Sequence, residues 1–145
     1  MKIFLINPYE IIYKSALPAF RAMVAKRLSD DYDLTQQEVA KRLGVTQASI
    51  SNYARKARGV MVNLETDPNL AKAADEISKV LASEEPDQRE ALRLMTEVCD
   101  YIRYTHLLCG LHGDLEHGFP TQGCSACNGA LSSSAATIRL KAVHR

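Results

Sequence analysis

Residues 34–53 read LTQQEVAKRLGVTQASISNY, a stretch that leaves the backbone few options. Thr35 and Glu38 stand three apart before an apolar run. This is a T-x-x-E capping box, in which each side chain satisfies a free N–H group at a helix start. Val39, Ala40 and Leu43 then recur at helical spacing and face inward. Gly44 ends the helix, because the residue after a helix commonly takes the left-handed conformation that glycine adopts without strain. Thr46 is placed to cap a further helix, which the pattern extends from Gln47 to about Arg58 before Gly59 stops it. Two such helices must cross closely. Ala40 is the small residue at the crossing, Gly44 turns the chain four residues later and Ile50 packs six residues beyond, with Val45 and Tyr53 completing the inner face. The pattern is that of a helix-turn-helix.

The side chains left outside are Gln47, Ala48, Ser51, Asn52 and Arg55. Most are polar and suit base edges and phosphates in a major groove. Arg55, Lys56 and Arg58 make a basic flank. The net charge of +1 conceals a segregation that agrees with this. Residues 1–60 hold ten Lys/Arg against five Asp/Glu, residues 61–98 four against nine, and residues 99–145 four against three. A basic first module suits a polyanion, and an acidic middle excludes an unselective nucleic-acid coat along the whole chain. Over about residues 16–60 the chain resembles the Xre-type (lambda-repressor-like) helix-turn-helix family, in LTQQEVAKRLGVTQASISNY above all. The resemblance implies that Gln47 and Ala48 lie at the base-contacting start of the recognition helix, Ser51 and Asn52 one turn on, and Gln36 against the DNA backbone. With Thr46, Arg55 and Lys56 these residues form the candidate DNA-binding set.

Around this unit the spacing predicts further helices. A first helix is expected from Pro18 to about Asp30, with Phe20, Met23, Val24 and Leu28 on one face. Residues 9–17 are expected as a preceding turn or short helix, and DDYD (30–33) as a loop. GVMVNLETD (59–67) reads as a linker. Asp67-Pro68 is a cap followed by a first-turn proline, predicting a fourth helix to about Ala82. Glu85-Pro86 repeats the device for a fifth, from Pro86 to about Tyr104, with Leu92, Met95, Val98, Cys99 and Ile102 at helical spacing. Beyond it, CGLHGDLEHGFPTQGCSACNGA reads as a Gly- and Cys-rich loop, and residues 131–145 as a weakly patterned tail. The expected fold is mostly α, with three regions: 1–62 for DNA binding, 63–105 as a helical linker and dimerisation region, and 106–145 as a Cys-rich segment and tail.

No cysteine precedes Cys99, and four follow within 29 residues: Cys99, Cys109, Cys124 and Cys127. Unrelated scatter, with Cys99 a core residue, is the plainest reading, and the crowding argues against it. A structural zinc ion held by the four thiolates is the second. Its usual pair of C-x2-4-C knuckles is present only once, although His106, His112 and His117 could substitute. An iron–sulfur cluster, [4Fe–4S] or [2Fe–2S], is the preferred reading. Irregular spacing is ordinary for clusters, and the small residues Gly110, Gly123, Ser125, Ala126, Asn128 and Gly129 let backbone N–H groups approach the sulfurs.

The whole chain also resembles a family of transcriptional regulators found mainly in archaea, in which an Xre-type domain precedes helices and a cysteine-bearing segment. EIIYKSALPAFRAMVAKRL, the helix-turn-helix and CDYIRYTHLLCGLH…GCSAC carry the resemblance, with Thr96 where several relatives carry a further cysteine. It implies control of transcription dependent on a cluster or metal, not catalysis. No phosphate-cradling glycine loop or nucleophile elbow occurs, and C-x2-C at 124–127 lacks the preceding strand of a redox motif. The partners expected are a double-stranded DNA operator and a second copy of the chain, since such readers bind two half-sites. The Leu92–Met95–Cys99–Ile102 stripe is a candidate dimer seam, or else packs within the protomer. No stretch approaches the roughly 20 apolar residues of a membrane span, the N-terminus does not read as a signal peptide, and a cytoplasmic location is expected.

Overall fold

The computed structural model describes residues 5–55, 64–115, 119–122, 124, 126–127 and 138. Among them the fold is mostly α. Lys56, Arg58, Gly59, His117, Gly123, Ser125, Asn128 and Gly129, the start of the expected linker and most of the tail lie outside the described residues, as do the side chains of Ala54 and Arg55.

The chain enters a helix earlier than Pro18. Asn7 caps α1 (Pro8–Ile11), accepting from the Tyr9 N–H while Glu10 reaches back to the cap. Without a break α1 passes through a π-helical turn (Ile12–Ala16) into α2 (Leu17–Tyr32). Proline inside a helix cannot donate to the carbonyl four residues back and its ring crowds that carbonyl. Here the helix widens just before Pro18, with the Leu17 N–H bonding Ile12 O, five residues back. Thus Pro18 lies near the start of α2 but inside one long helix. Nor is DDYD a loop: Asp30–Tyr32 finish α2, and Asp33 ends it in the left-handed region at φ 55°.

The capping box closes α3 (Gln36–Leu43) as the spacing requires, with Thr35 Oγ1 accepting from the Glu38 N–H and Glu38 Oε2 accepting from the Thr35 N–H. Gly44 stands at φ 69° between α3 and α4 (Gln47–Arg55). Leu64–Thr66 form a single 3-10 turn within the expected linker. Asp67 caps α5 (Pro68–Ala82), which matches its expected span. The cap of α6 (Gln88–Tyr104) is Asp87, not Glu85, so the helix starts two residues late. The short aspartate carboxylate reaches the Glu90 N–H, and aspartate is among the best cap residues. The expected loop after Tyr104 contains a further helix, α7 (Cys109–Leu115).

One core runs through these helices. Phe20, Val24 and Leu28 of α2 are fully buried, with Leu70, Ala73, Ala74 and Ile77 of α5 and Leu94, Val98 and Ile102 of α6. The most extensive contact between helices joins α2 and α5, where Ala73 and Ala74 let the backbones approach. Two arginines lock the edges. Arg27 on α2 reaches Glu65 in the 3-10 turn and Asp75 on α5. Arg42 on α3 donates to the carbonyls of Leu81 and Ser83 at the end of α5, where a cation also suits the helix dipole. The helix-turn-helix therefore rests on α2 and α5 rather than standing alone. The α6 stripe turns mostly inward: Leu92 is exposed, Met95 and Cys99 are half-buried, and Ile102 is buried within the protomer.

Candidate nucleic-acid interface and thiol cavity

α4 is held at its inner face by Ile50, which is 6 % exposed, with Val45, Leu43 and Tyr53 half-buried against the same core. Thr46 caps it through Oγ1, which accepts from the Ser49 N–H at 3.1 Å and lies 2.9 Å from the Ser49 hydroxyl. The Thr46 hydroxyl is thus first of all a structural cap. The same geometry leaves the first turn of α4 in solvent, with Thr46, Gln47 and Ala48 exposed. Gln36 is exposed at the start of α3, and Ser51 and Asn52 are half-buried one turn further along α4. Six members of the candidate set are therefore placed, and the side chains of the other two, Arg55 and Lys56, lie outside the described residues. Glu38, beside this surface, has its carboxyl held below the usual range by the Thr35 backbone and hydroxyl hydrogen bonds.

At the other end of the long helix, a cavity of about 320 Å³ opens between the N-terminal segment and the chain after α6. Leu5, Ile6, Asn7 and Pro8 form one wall. Cys109, Cys124 and Cys127 line the other, with His106, His112 and Phe119. Cys109 Sγ lies 3.4 Å from His106 Nδ1. His106 holds a left-handed backbone, φ 64°, which is uncommon for a residue with a side chain. His112 is 8 % exposed and its ring stacks on Phe119, centroids 3.9 Å apart. Burial pushes the Cys109 thiol up, and the nearby Cys127 and Cys124 push it further. No three His, Cys, Asp or Glu side chains among the described residues stand close enough together to hold one metal ion.

Cys99 does not line this cavity. It sits on the half-buried face of α6, packed against the core. Burial is the main cause that lifts its thiol to about 11, with Asp100 adding to the rise and Arg21 of α2 opposing it. The structure thus brings three of the four thiols to one place, and as a holder of four thiolates the cavity falls one short.

Three features escape a reading of the sequence. The wall made by Leu5–Pro8 carries no local signal, since only the folded chain brings it to His106, Cys109, Cys124 and Cys127. The anchoring of α3 to α5 by Arg42 is equally nonlocal. Arg103 is a third such link: its guanidinium lies over the Tyr9 ring, 4.4 Å from the centroid, and donates to the Tyr9 hydroxyl at 2.8 Å. It ties α6 to α1 beside the cavity wall.

A family model described as the ParB HTH domain matches residues 18–96, just over half of the chain and the span from the start of α2 into α6. No curated protein and no solved structure matches the chain. No helix among the described residues is long and apolar enough to cross a membrane.

Proposed function

The chain belongs to the ParB helix-turn-helix domain family, and from that premise we propose that it is a sequence-specific, Xre-type transcriptional regulator, related to those of archaea, that binds operator DNA as a cytoplasmic homodimer. DNA binding itself follows from the helix-turn-helix domain. The observation that carries the finer reading is the exposed first turn of α4. Gln47 and Ala48 project from a helix whose inner face is fixed by Ile50 and whose start is fixed by Thr46. A rigid helix with a solvent-facing amide at its N-terminal end is what major-groove readout uses, because glutamine pairs bidentately with adenine. Dimerisation is proposed because such readers place two recognition helices on two half-sites one helical turn apart.

We read the C-terminal thiols as metal ligands. In one form, Cys99, Cys109, Cys124 and Cys127 hold an iron–sulfur cluster that reports redox, oxygen or iron and sulfur status. In the other, the same four cysteines hold a structural zinc ion and the regulator is constitutive. The convergence of three thiols and two imidazoles on one cavity supports metal binding in either form. The position of Cys99 outside that lining bears equally on both forms.

Selection from a pool of random duplexes at fixed salt tests the DNA reading. The expected result is enrichment of one sequence arranged as two half-sites, bound at least about 10³-fold more tightly than random duplex. Selection without enrichment contradicts sequence-specific regulation. If metal-loaded and metal-free protein then bind the selected duplex equally at matched salt, the sensor form is wrong and the constitutive form stands.

A further inference from the structure

We propose that Cys109, Cys124, Cys127 and His106 form a Cys3His site for one tetrahedral divalent ion of the zinc class, with Cys99 outside it. The inference rests on the reading of the thiol cavity as a metal centre and names its ligands. Its first support is a distance. With zinc–sulfur bonds of about 2.3 Å and zinc–nitrogen bonds of about 2.0 Å, adjacent sulfur and nitrogen ligands of a tetrahedral ion stand roughly 3.5 Å apart. Cys109 Sγ and His106 Nδ1 are 3.4 Å apart. The pair, in hydrogen-bond contact here, thus stands at a separation that also fits one edge of such a tetrahedron.

The backbone supports the same choice. His106 turns the chain between α6 and α7 in the left-handed region, as the residue after a helix commonly does, with the Leu107 N–H on Ile102 O closing the helix end. Its N–H bonds Arg103 O and its carbonyl accepts from the Cys109 N–H, so the backbone that carries the imidazole is tied to the backbone that carries the thiol. The other two donors come from one C-x2-C turn on the same cavity. That spacing is typical of a zinc knuckle, and Cys3His is a standard closed ligand set. His112 also lines the cavity with its ring stacked on Phe119, but His106 is the imidazole in contact with a cavity thiol. Cys99 packs against the core from α6, away from the cavity lining.

Three donors do not stand within reach of one ion among the described residues, and a cavity of about 320 Å³ is larger than one ion needs. Ligation would therefore have to draw Cys124 and Cys127 toward His106 and Cys109. Those two cysteines share the cavity with Leu5–Pro8, the segment that opens the helix running on into α2. The ion would thus clamp the C-terminal segment beside the start of the helix that supports the DNA reader.

The test uses the full chain, reduced and stripped of metal with a chelator, and titrates it with Co²⁺. Binding of one equivalent is expected, with the intense visible bands of tetrahedral cobalt and a thiolate charge-transfer band, both lost when Zn²⁺ displaces it. Cys99→Ser should leave stoichiometry and spectrum unchanged. Cys109→Ser and Cys127→Ser should remove the tetrahedral spectrum, and His106→Ala should weaken binding by more than about tenfold. Circular dichroism of each variant checks that its helices persist. His106→Cys should restore tight binding with a spectrum shifted toward four thiolates, which a merely structural histidine would not produce. Loss of the spectrum in Cys99→Ser, or full affinity in His106→Ala, overturns the ligand set while leaving the metal reading intact. If the unsubstituted protein binds no Co²⁺ and takes up no iron–sulfur cluster on reconstitution, the proposal and the metal reading both fail. Duplex selection is independent of either result.

Discussion

Single side chains divide this molecule's polar and thiol groups by task. Glu38 and Thr46 are spent on helix starts, Arg27 and Arg42 on the joints between helices, and Gln47 is left to the solvent. The four thiols divide as well. Cys99 is held by packing, whereas Cys109, Cys124 and Cys127 share a cavity. Because burial lifts the folded-state pKa of Cys99 to about 11 from an ordinary value of about 8.5, the folded chain keeps its proton where the unfolded chain loses it. Stability from this source is full below about pH 8.5 and is lost as pH rises toward 11. The melting temperature of the metal-free protein should therefore fall between pH 8.5 and 11, and Cys99→Ala should flatten that fall. An unchanged slope in the variant would show that this thiol is not protonated by burial. Crowding in the sequence groups Cys99 with its three neighbours, and its place on the apolar stripe of α6, equally visible there, agrees with its packing against the core.

At the scale of elements, the parts written locally were legible. The capping box at Thr35, the turn glycine at 44, the cap at Thr46 and the Asp67-Pro68 start all stand where residue type and spacing put them. Each depends on contacts within four residues. The errors arose where a local sign was overridden or had a near twin. Pro18 reads as a helix start, yet the π-helical turn absorbs it and the helix begins at Pro8. Glu85-Pro86 imitates a cap, but Asp87 supplies it. A pair of substitutions separates those two acidic residues. Asp87→Ala should cost about 1 kcal/mol in chemical denaturation, and Glu85→Ala should stay within about 0.5 kcal/mol of the parent, as exposed substitutions away from caps do. Equal losses would return the cap to Glu85. The helix α7 was hidden by its glycines, since CGLHGDL contains two, and glycine weakens any helical pattern.

For the molecule as a whole, the long helix from Pro8 to Tyr32 connects two separate regions. Its continuation α2 supports α4 and the reader, and its start lies against the cavity that holds three thiols. The family match over residues 18–96 takes in α5 and most of α6 along with the helix pair, in keeping with a core shared by all of them. The DNA-reading half was legible in the sequence because its chemistry sits on one short segment. The thiol half was legible only as a count, because its geometry is assembled from Leu5–Pro8 with His106, Cys109, Cys124 and Cys127. If the exposed start of α4 reads bases, as proposed, Gln47 is the side chain that does so most directly. The deciding measurement is the affinity of the unsubstituted protein and of Gln47→Ala for the selected duplex and for each of its single-base variants, at one salt concentration. The unsubstituted protein should discriminate against the wrong base at the Gln47 position by about 1–3 kcal/mol. Gln47→Ala should lose that preference at this position alone while melting at the parent's temperature. Undiminished discrimination at every position in Gln47→Ala would contradict that reading.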